Sequence, residues 1–335
     1  MSVEIVHVYG GDANSSSRIK MQLAWAGGRV LDPINVGWIG VLWGLWGSRA
    51  NVVVFHGQST LPLLLASAIY SFLSRRKWSI VYDMHDLHEK PLVFRLKAVL
   101  RYWILYLFEY FASRLDIDVI TVSKGLARVF FLRYRRSPQV VYNVAFEVGQ
   151  EVDVSTPADR ARGRVGVVYF GLIKPDRVPL SLARDVLQAD KFGVFDLYGK
   201  VPKGDFAVYS AELDQLASHT SLRLCGPYKP EAMGFLEKYR YSWLCFESDR
   251  LNIRYCMPNK LFQSLSAGLC CVISDRLVEA RTLFGDACVS YRDFLRICAG
   301  ELESPADKID WKDVEARMQK VAERSRAVFL EVCSA

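Results

Sequence analysis

Long apolar runs are missing from this sequence of 335 residues. The two longest cover residues 36–47 and 61–73, whereas a helix that spans a membrane needs about 20 apolar residues. We expect no signal peptide, because the sequence opens directly on the strand-like segment 3–9. These absences predict a protein that is soluble or attached to a membrane surface.

Cysteine is missing from the first half of the chain, and the paired spacings of zinc sites are missing throughout. All eight cysteines lie between residues 225 and 333, and none forms a C-x-x-C pair. We therefore expect buried, reduced thiols of the kind found in cytosolic proteins, and neither a zinc site nor a disulfide framework.

The common nucleotide-binding fingerprints are missing too. There is no P-loop, and residues 10–15 read GGDANS instead of G-x-G-x-x-G. What remains after the first predicted strand is a small polar loop, at the place where open α/β sheets bind ligands. An ordinary strand-to-helix turn explains this loop equally well.

Basic residues outnumber acidic residues only in the first half of the chain. Residues 1–150 contain 17 Lys and Arg against 10 Asp and Glu, whereas residues 151–335 contain 26 of each. Many of the basic residues alternate with aromatic ones in the segment 92–136. This combination suits an anionic membrane surface, although a core helix with a solvated basic face explains it equally well. No nucleic-acid module accompanies the charge, so nucleic acid is not an expected partner.

Hydrophobic residues make up 51% of the chain, which excludes a disordered protein and is enough for large cores. Apolar segments rich in β-branched residues alternate with helical patterns, which is typical of parallel sheets covered on both faces. The predicted strands are 3–9, 51–56, 78–83, 117–122, 139–143, 165–170, 192–198, 221–225, 241–246, 269–274 and 287–291. The predicted helices are 15–27, 61–74, 92–114, 123–133, 179–189, 230–239, 258–267, 276–284 and 311–331.

A polar stretch interrupts this alternation once. We predict two doubly wound, Rossmann-like α/β domains at 1–148 and 165–310, joined by a linker at 149–164. A helix at 311–335 ends the chain, and we expect it to pack back on the first domain.

The densest cluster of titratable side chains directly follows the predicted strand 78–83. Within it, His85, Asp86 and His88 combine imidazole and carboxylate groups, which remove protons from hydroxyls or stabilise a departing leaving group. We predict that these three residues are catalytic. A solvated polar loop and a metal site remain the alternatives, but a D-x-D pair that holds metal on phosphate is missing.

A second motif combines a helix start with a basic residue. Pro258 suits the first turn of a helix, which places Asn259 and Lys260 at a helix N-terminus. Unpaired N–H groups and a positive dipole favour phosphate there, and Lys260 adds a full charge.

Residues 258–272 read PNKLFQSLSAGLCCV and resemble the "P-N-K-l-f-E-x-l-a-a-G-l-P-V-v" block of the GT-B glycosyltransferases. The similarity is to the large retaining bacterial family, which includes glycogen-synthase-like enzymes and the sugar transferases of lipopolysaccharide and capsule. Four further blocks follow the family order: YDMHD at 82–86, ITVSKGL at 120–126, VYN at 141–143 and VVYFGL at 167–172.

This resemblance implies two Rossmann-like domains that face each other across a cleft, the first for the acceptor and the second for a nucleotide sugar. On the acceptor side it implies Gly10, Gly11 and Arg18. The implied donor-binding residues are Gly171, Lys174, Arg177, Tyr198, Gly226, Glu247, Tyr255, Pro258, Asn259, Lys260 and Gln263.

The sequence departs from the family at its two glutamates, which fall on Tyr255 and Gln263. Gln263 retains hydrogen bonding to the donor ribose, whereas Tyr255 changes the chemistry at the transferred sugar. Glu247 is a substitute contact for that sugar.

The function implied is transfer of a sugar from a nucleotide-diphosphate sugar to a hydroxyl of a glycan or lipid-linked glycan, in bacterial-type surface polysaccharide synthesis. No cofactor or metal is expected, because basic side chains neutralise the leaving group. We expect a cytoplasmic protein at the inner face of the membrane. The alternatives are a catalytically silent, membrane-associated partner subunit and a nucleotide-sugar epimerase of the same fold.

Overall fold

The structure is a computed structural model of the chain. It describes residues 4–10, 16–75, 77–90, 96–144, 165–189, 191–202, 206–228, 233–248 and 250–334. The predicted linker 149–164 and Gly11 lie outside the described residues. The chain divides into two compact units, which we call the first unit (1–145 and 320–335) and the second unit (146–319).

The first unit contains a parallel sheet of six strands, in the order β2-β1-β3-β4-β5-β6. Its elements are β1 (Ile5–Tyr9), α1 (Ser17–Ala26), β2 (Arg29–Leu31), α2 (Pro33–Trp46), β3 (Val52–His56), α3 (Leu61–Ser74), β4 (Ser79–Met84), α4 (Leu96–Arg114), β5 (Asp118–Thr121), α5 (Lys124–Tyr134) and β6 (Gln139–Val140). Helix α2 bends at Gly37, whose φ of 69° is non-helical.

The second unit contains another parallel sheet of six strands, in the order β12-β11-β10-β7-β8-β9. Its elements are β7 (Val165–Phe170), α6 (Leu180–Leu187), β8 (Phe192–Tyr198), α7 (Ala207–His219), β9 (Leu222–Gly226), β10 (Tyr241–Leu244), α8 (Leu251–Arg254), α9 (Asn259–Ser266), β11 (Cys270–Ile273), α10 (Val278–Phe284), β12 (Cys288–Ser290) and α11 (Tyr291–Ala299). A last helix, α12 (Trp311–Val332), begins in this unit, and its second half belongs to the first unit.

The connections of the first sheet decide which helices share a face. Parallel crossovers are right-handed, and the chain moves in one direction across the sheet from β2 to β6. Helices α2, α3, α4 and α5 therefore cover one face, and α1 covers the other. On the α1 side, Ile5 and Val54 pack with Trp25 of α1 and with Phe329 of α12.

The central strands form because they are apolar on both faces. All five residues of β3 are buried, and so are all four residues of β10 and of β11. Continuous burial of this kind is what a parallel sheet between two helical layers requires. No helix in the described ranges is both long and apolar enough to cross a bilayer.

The predicted helix 230–239 was wrong: the described residues there form only a 3-10 helix, Gly234–Lys238, since glycine is a poor helix former. Five further elements were not predicted, one of which, α8, has only four residues. Strand β2 has only three residues and lies at a sheet edge, so its sequence is too short for a pattern that predicts a strand. Helix α2 is rich in glycine and has hardly any polar side. Helix α7 buries only Leu213, so it lacks an apolar stripe. Helix α11 follows β12 without an intervening loop.

Candidate functional site

The first unit offers a ligand site at the carboxyl ends of β1, β3 and β4. The sheet order reverses at β1, because β2 lies on one side of it and β3 on the other. Open α/β sheets bind ligands at this switch point. Gly10 follows β1 there, and a β-carbon on Gly10 would overlap the Ser59 hydroxyl, so only glycine lets the two loops meet.

Asp83, the fifth residue of β4, is the centre of a buried polar network. Its carboxylate accepts hydrogen bonds from the Nη2 and Nε of Arg18, at 2.7 and 2.8 Å. Gln22 donates to it from Nε2 at 2.7 Å. The Nδ1 of His56 and the Nε2 of His85 lie 3.1 and 3.2 Å from it. One carboxylate thus orders four side chains from α1, β3 and the loop after β4.

The network determines which nitrogens carry protons. Burial alone raises the pKa of Asp83, but the charges of Arg18 and His85, with hydrogen bonds from His56 and His85, hold that pKa well below its usual range. An ionised carboxylate only accepts hydrogen bonds, so His56 and His85 both donate to it. The Nδ1 of His85 has no partner among the described residues, and the side chain is 24% exposed. That nitrogen is therefore available for a hydrogen bond with a ligand.

A second histidine pair extends this network into the sheet. The Nδ1 of His7 lies 3.0 Å from the Nε2 of His56, and both rings are fully buried. Burial, together with the charge of His56, lowers the pKa of His7 to about 3, and burial also lowers the pKa of His56. Both rings are therefore neutral at pH 7 and hold their positions through hydrogen bonds.

The three predicted catalytic residues are placed differently. His85 reaches Asp83, whereas Asp86 is exposed and its carbonyl accepts a hydrogen bond from Gln58 at 2.9 Å. His88 is 7% exposed, its Nδ1 lies 3.3 Å from Gln58 Oε1, and its ring stacks on Tyr102 of α4. His88 therefore fixes the loop to α4 and does not present its ring to solvent.

Arg18, which we expected to border the acceptor side, is 2% exposed. Ser16 caps α1 through its hydroxyl, and the first turn then directs Arg18 under the sheet edge, where its Nη1 also donates to the carbonyl of Val141 at 2.7 Å. A buried carboxylate needs a buried partner, and this need overrides the usual surface preference of arginine. Arg18 therefore stabilises the Asp83 carboxylate inside the first unit and does not present its guanidinium to solvent.

One group in the described part of the chain has the spacing of a metal site: His56, Asp83 and His85. Both oxygens of Asp83 already accept hydrogen bonds from Arg18. A metal ion bound there would face the guanidinium charge at short range. The arrangement fits hydrogen bonding better than metal coordination.

The second unit has a pocket of about 210 Å³ at its own switch point, between the carboxyl ends of β7 and β10. The lining residues are Tyr169, Leu172, Lys174, Arg177, Phe246, Cys256, Pro258, Asn259 and Lys260. Three of these side chains are cations and none is a carboxylate. Helix α9 begins at the pocket, so its positive dipole adds to the positive potential.

Lys260 and Arg177 are held in this pocket by aromatic rings. The Lys260 ammonium lies 5.7 Å from the centre of the Phe170 ring, and the Arg177 guanidinium lies 4.4 Å from that of Phe246. Burial lowers the pKa of Lys260 to about 8, and Arg177 adds to this effect. Gly171, at φ 140°, leaves room for the lysine, because a β-carbon there would overlap Lys260 Cε. The pocket thus holds cations without a carboxylate partner, which favours an anionic ligand.

Five further predicted donor-binding residues do not line this pocket. Tyr198 and Gly226 end the neighbouring strands β8 and β9, where Tyr198 stacks on Phe235. Glu247 is exposed and directly follows Phe246 of the pocket. Tyr255 ends α8, with the Arg254 guanidinium 5.5 Å from its ring centre, and Gln263 lies in the second turn of α9.

Sequence reasoning missed His7 and His56, and it counted Asp83 in the titratable cluster without giving it a role. His7 and His56 lie in apolar strands, and among the described residues their rings have no hydrogen-bond partner close to them in the sequence. The available signal was their position: three polar residues in strands that are otherwise apolar need buried partners. Phe246 and Cys256 of the pocket belong to no sequence motif that could have identified them.

Two doubly wound parallel sheets, each with a ligand edge at its switch point, define the architecture of the GT-B proteins. No family model matches the sequence, and no curated protein matches it. Solved structures do match. They include HepE from Anabaena in complex with UDP (14% identity over 98% of this chain and 97% of that one, TM-score 0.66) and the lipopolysaccharide outer core galactosyltransferase WaaB (12%, 99% and 99%, 0.64).

A third match is the UDP-forming α,α-trehalose-phosphate synthase from Burkholderia xenovorans (12% identity over 93% of this chain and 82% of that one, TM-score 0.60). At these identities the likeness establishes the fold. The chain has the GT-B fold, and the two predictions of α/β architecture and of GT-B resemblance are confirmed at that level.

Proposed function

We propose that this protein is a glycosyltransferase that moves a sugar from a nucleotide-diphosphate sugar to a hydroxyl group. The observation that carries the proposal is the cationic pocket of the second unit, at the start of α9 and the end of β7. Structures of similar fold with UDP and with UDP-glucose, both of HepE, support a uridine nucleotide as the first donor to test.

The pocket has the chemistry that a departing nucleoside diphosphate requires. In the reaction the bond between the sugar C1 and the diphosphate oxygen breaks, and a bond between C1 and the acceptor oxygen forms. Negative charge develops on the diphosphate as it leaves. Lys260, Arg177 and Lys174 neutralise that charge, together with the positive dipole at the start of α9. The residues present suffice for this role without a metal ion.

The first unit supplies the acceptor side of the proposal. The acceptor hydroxyl loses its proton in the transfer, and the Nδ1 of His85, the ring nitrogen that Asp83 does not bind, is the group we assign to receive it. Asp83 fixes the tautomer and orientation of His85 in the way that a carboxylate positions histidine in hydrolases. Gly10, which follows the neighbouring strand β1, lies against Ser59 at the same edge of the sheet.

The acceptor class and the pathway follow from the sequence motifs and from one neighbour. The motif series resembles sugar transferases of lipopolysaccharide and capsule, and WaaB is described as a lipopolysaccharide outer core galactosyltransferase. We propose a glycan or lipid-linked glycan acceptor in bacterial-type surface polysaccharide synthesis. The location that goes with it is the cytoplasmic face of the membrane.

A second candidate is a catalytically silent partner subunit, which the tyrosine and glutamine at positions 255 and 263 favour. Such a subunit would bind a nucleotide but would not turn over a nucleotide sugar. Release of UDP from UDP-hexoses, measured with and without a glycan acceptor, separates the two. Interconversion of free sugar nucleotides without transfer would instead indicate an epimerase.

The decisive first experiment is a thermal-shift titration with UDP, GDP, CMP and dTDP. Ligand stabilisation grows with the ratio of ligand concentration to Kd, so the correct base gives the largest shift. Lys260→Ala should abolish that shift, whereas Lys312→Ala, an exposed lysine of the same unit outside the pocket, should preserve it. A full shift in Lys260→Ala would remove the phosphate-binding role from this residue.

A further inference from the structure

Large apolar side chains are exposed on one side of the first unit to an unusual degree. Sixteen of them lie on α2, α3, α4 and α5, the four helices that cover one face of the sheet. They are Val36, Trp38, Ile39, Trp43, Ile69, Phe72, Leu73, Leu96, Leu100, Trp103, Ile104, Leu107, Tyr110, Phe111, Phe131 and Leu132. We call this set the apolar helix face. Exposed patches of this size mark interaction sites.

Helix α4 has its polarity reversed relative to an ordinary surface helix. Its exposed residues recur every three or four positions and are mostly apolar, with Leu100 at 59%, Trp103 at 52% and Leu107 at 49% exposure. Its buried stripe contains Glu109 and Ser113. A helix that packs only against its own sheet has its apolar side toward the sheet and its polar side toward solvent. The exposed apolar side of α4 is therefore suited to contact with a second apolar surface.

The charges around this face have one sign. Helices α2 to α5 contain a single acidic residue, Glu109, which is buried between Tyr82 and Tyr134. Their basic residues number six, and five of these are exposed: Lys97, Arg101, Arg114, Lys124 and Arg128. An apolar surface whose helices carry exposed cations and no exposed acidic residue is complementary to a bilayer that contains anionic lipid. It is poorly suited to a symmetric dimer, which would bring these like charges together.

The four helices form one continuous layer that reaches the candidate acceptor edge. Trp46 of α2 stacks on Tyr70 of α3 at 4.8 Å between ring centres, and α3 packs beside α4. A β-carbon on Gly10 would lie 3.8 Å from the Trp38 ring. The apolar helix face therefore extends to the loop that follows β1.

We propose that the apolar helix face inserts into the interfacial region of an anionic lipid bilayer, with α4 as the main inserted element. The apolar stripe enters the boundary between headgroups and acyl chains, and the flanking cations contact lipid phosphates. The cluster of exposed tryptophans suits the same depth, because indole prefers the interface. This places a lipid-linked acceptor beside Gly10, a consequence that rests on the proposed transferase function, whereas the insertion itself does not.

Vesicle flotation tests the insertion without donor or acceptor, so its result is independent of glycosyl transfer. The full chain should float with vesicles of phosphatidylcholine and phosphatidylglycerol, and Leu100→Glu/Ile104→Glu/Leu107→Glu should weaken partitioning on the order of 100-fold. The matched control is Val208→Glu/Val278→Glu/Leu302→Glu, which changes the net charge equally at exposed apolar positions of the second unit and should float like the parent chain.

Quenching by brominated acyl chains distinguishes insertion from electrostatic adsorption. The chain should lose most of its quenching in Trp38→Phe/Trp43→Phe/Trp103→Phe and keep it in Trp311→Phe, a tryptophan of the second unit. Absence of flotation would overturn the proposal. So would flotation that salt abolishes and the three glutamates leave unchanged. A dimer that the three glutamates dissociate, without lipid binding, would identify the face as a protein interface.

Discussion

The two units have the same fold but differ in their exposed apolar surface and in their charge. Each is a six-stranded, doubly wound parallel sheet with a ligand edge at its switch point. Among the residues that the structure describes, the first exposes sixteen large apolar side chains on four adjacent helices, whereas the second exposes five, scattered over loops, helices and one edge strand. The net positive charge of the chain also lies entirely in residues 1–150. The same fold thus carries an exposed apolar helix layer in one unit and a pocket lined by cations in the other.

The two units also differ in how the partner of a buried carboxylate is exposed to solvent. In the first, the site carboxylate Asp83 is fully buried and paired with an almost fully buried Arg18. In the second, Asp196 is 2% exposed, but its partner Arg223 is 62% exposed. The second unit's pocket cations have no carboxylate in the lining. Charge that the protein neutralises internally supports structure, and charge that it leaves unpaired is available to a ligand.

The largest effect should come from breaking the buried pair. Asp83→Ala leaves the Arg18 guanidinium buried without its partner, and we expect the free energy of unfolding to fall by about 4 kcal/mol in urea titrations. Asp196→Ala is the matched change in the second unit and should cost less, because Arg223 reaches water. Equal losses would contradict the distinction between the two carboxylates.

Glu109 should give the first unit a pH dependence between about pH 4.5 and pH 7. Burial raises the pKa of Glu109 to about 7, despite hydrogen bonds from Tyr134 and Tyr82. A folded pKa above the unfolded one means that folded protein binds more protons, so the contribution of Glu109 to stability is complete below about pH 4.5 and is lost as the pH rises through 7. The decline is on the order of 3 kcal/mol.

Glu109→Gln keeps the acceptor oxygen and removes the titration. Its free energy of unfolding, relative to that of the parent chain, should therefore rise between pH 5 and pH 8. A constant difference across this range would show that Glu109 does not titrate there.

His85 and Lys260 should separate turnover from donor binding. His85→Gln keeps hydrogen bonding to Asp83 but loses the basic nitrogen, so we expect kcat for sugar transfer to fall about 100-fold. UDP affinity, measured by calorimetry, should stay unchanged. Loss of UDP affinity in this variant would place His85 in the donor site.

Lys260→Ala should weaken UDP about 30-fold, because one charge-assisted contact to phosphate is lost. Lys260→Arg should recover part of the affinity if charge is what matters. The smallest change in this comparison belongs to Lys312→Ala, which should leave Kd within error of the parent value.

Most of the fold was predictable from the sequence, because apolar strands and helical periods are local patterns. Strands 165–170 and 192–198 and helix 61–74 were predicted with the bounds that the structure has. The site was less predictable. Lys260, at a recognisable helix start, was identified. His56 was missed and Asp83 was given no role, because the two residues contact each other across 27 residues of the chain and Arg18 reaches Asp83 across 65.

By itself the sequence determined the two α/β domains, the start of α9 beside Lys260 and the concentration of positive charge in the first half, since each depends on neighbours in the chain. Only the tertiary structure decided that Arg18 is buried, that His85 is fixed by Asp83, and that the outer stripe of α4 is the apolar one. The helical period of a sequence divides a helix into two sides. Which side faces the sheet depends on the side chains with which it packs in the folded protein. Here Tyr82 and Tyr134 bind Glu109, and the leucines and tryptophan of α4 are left outside.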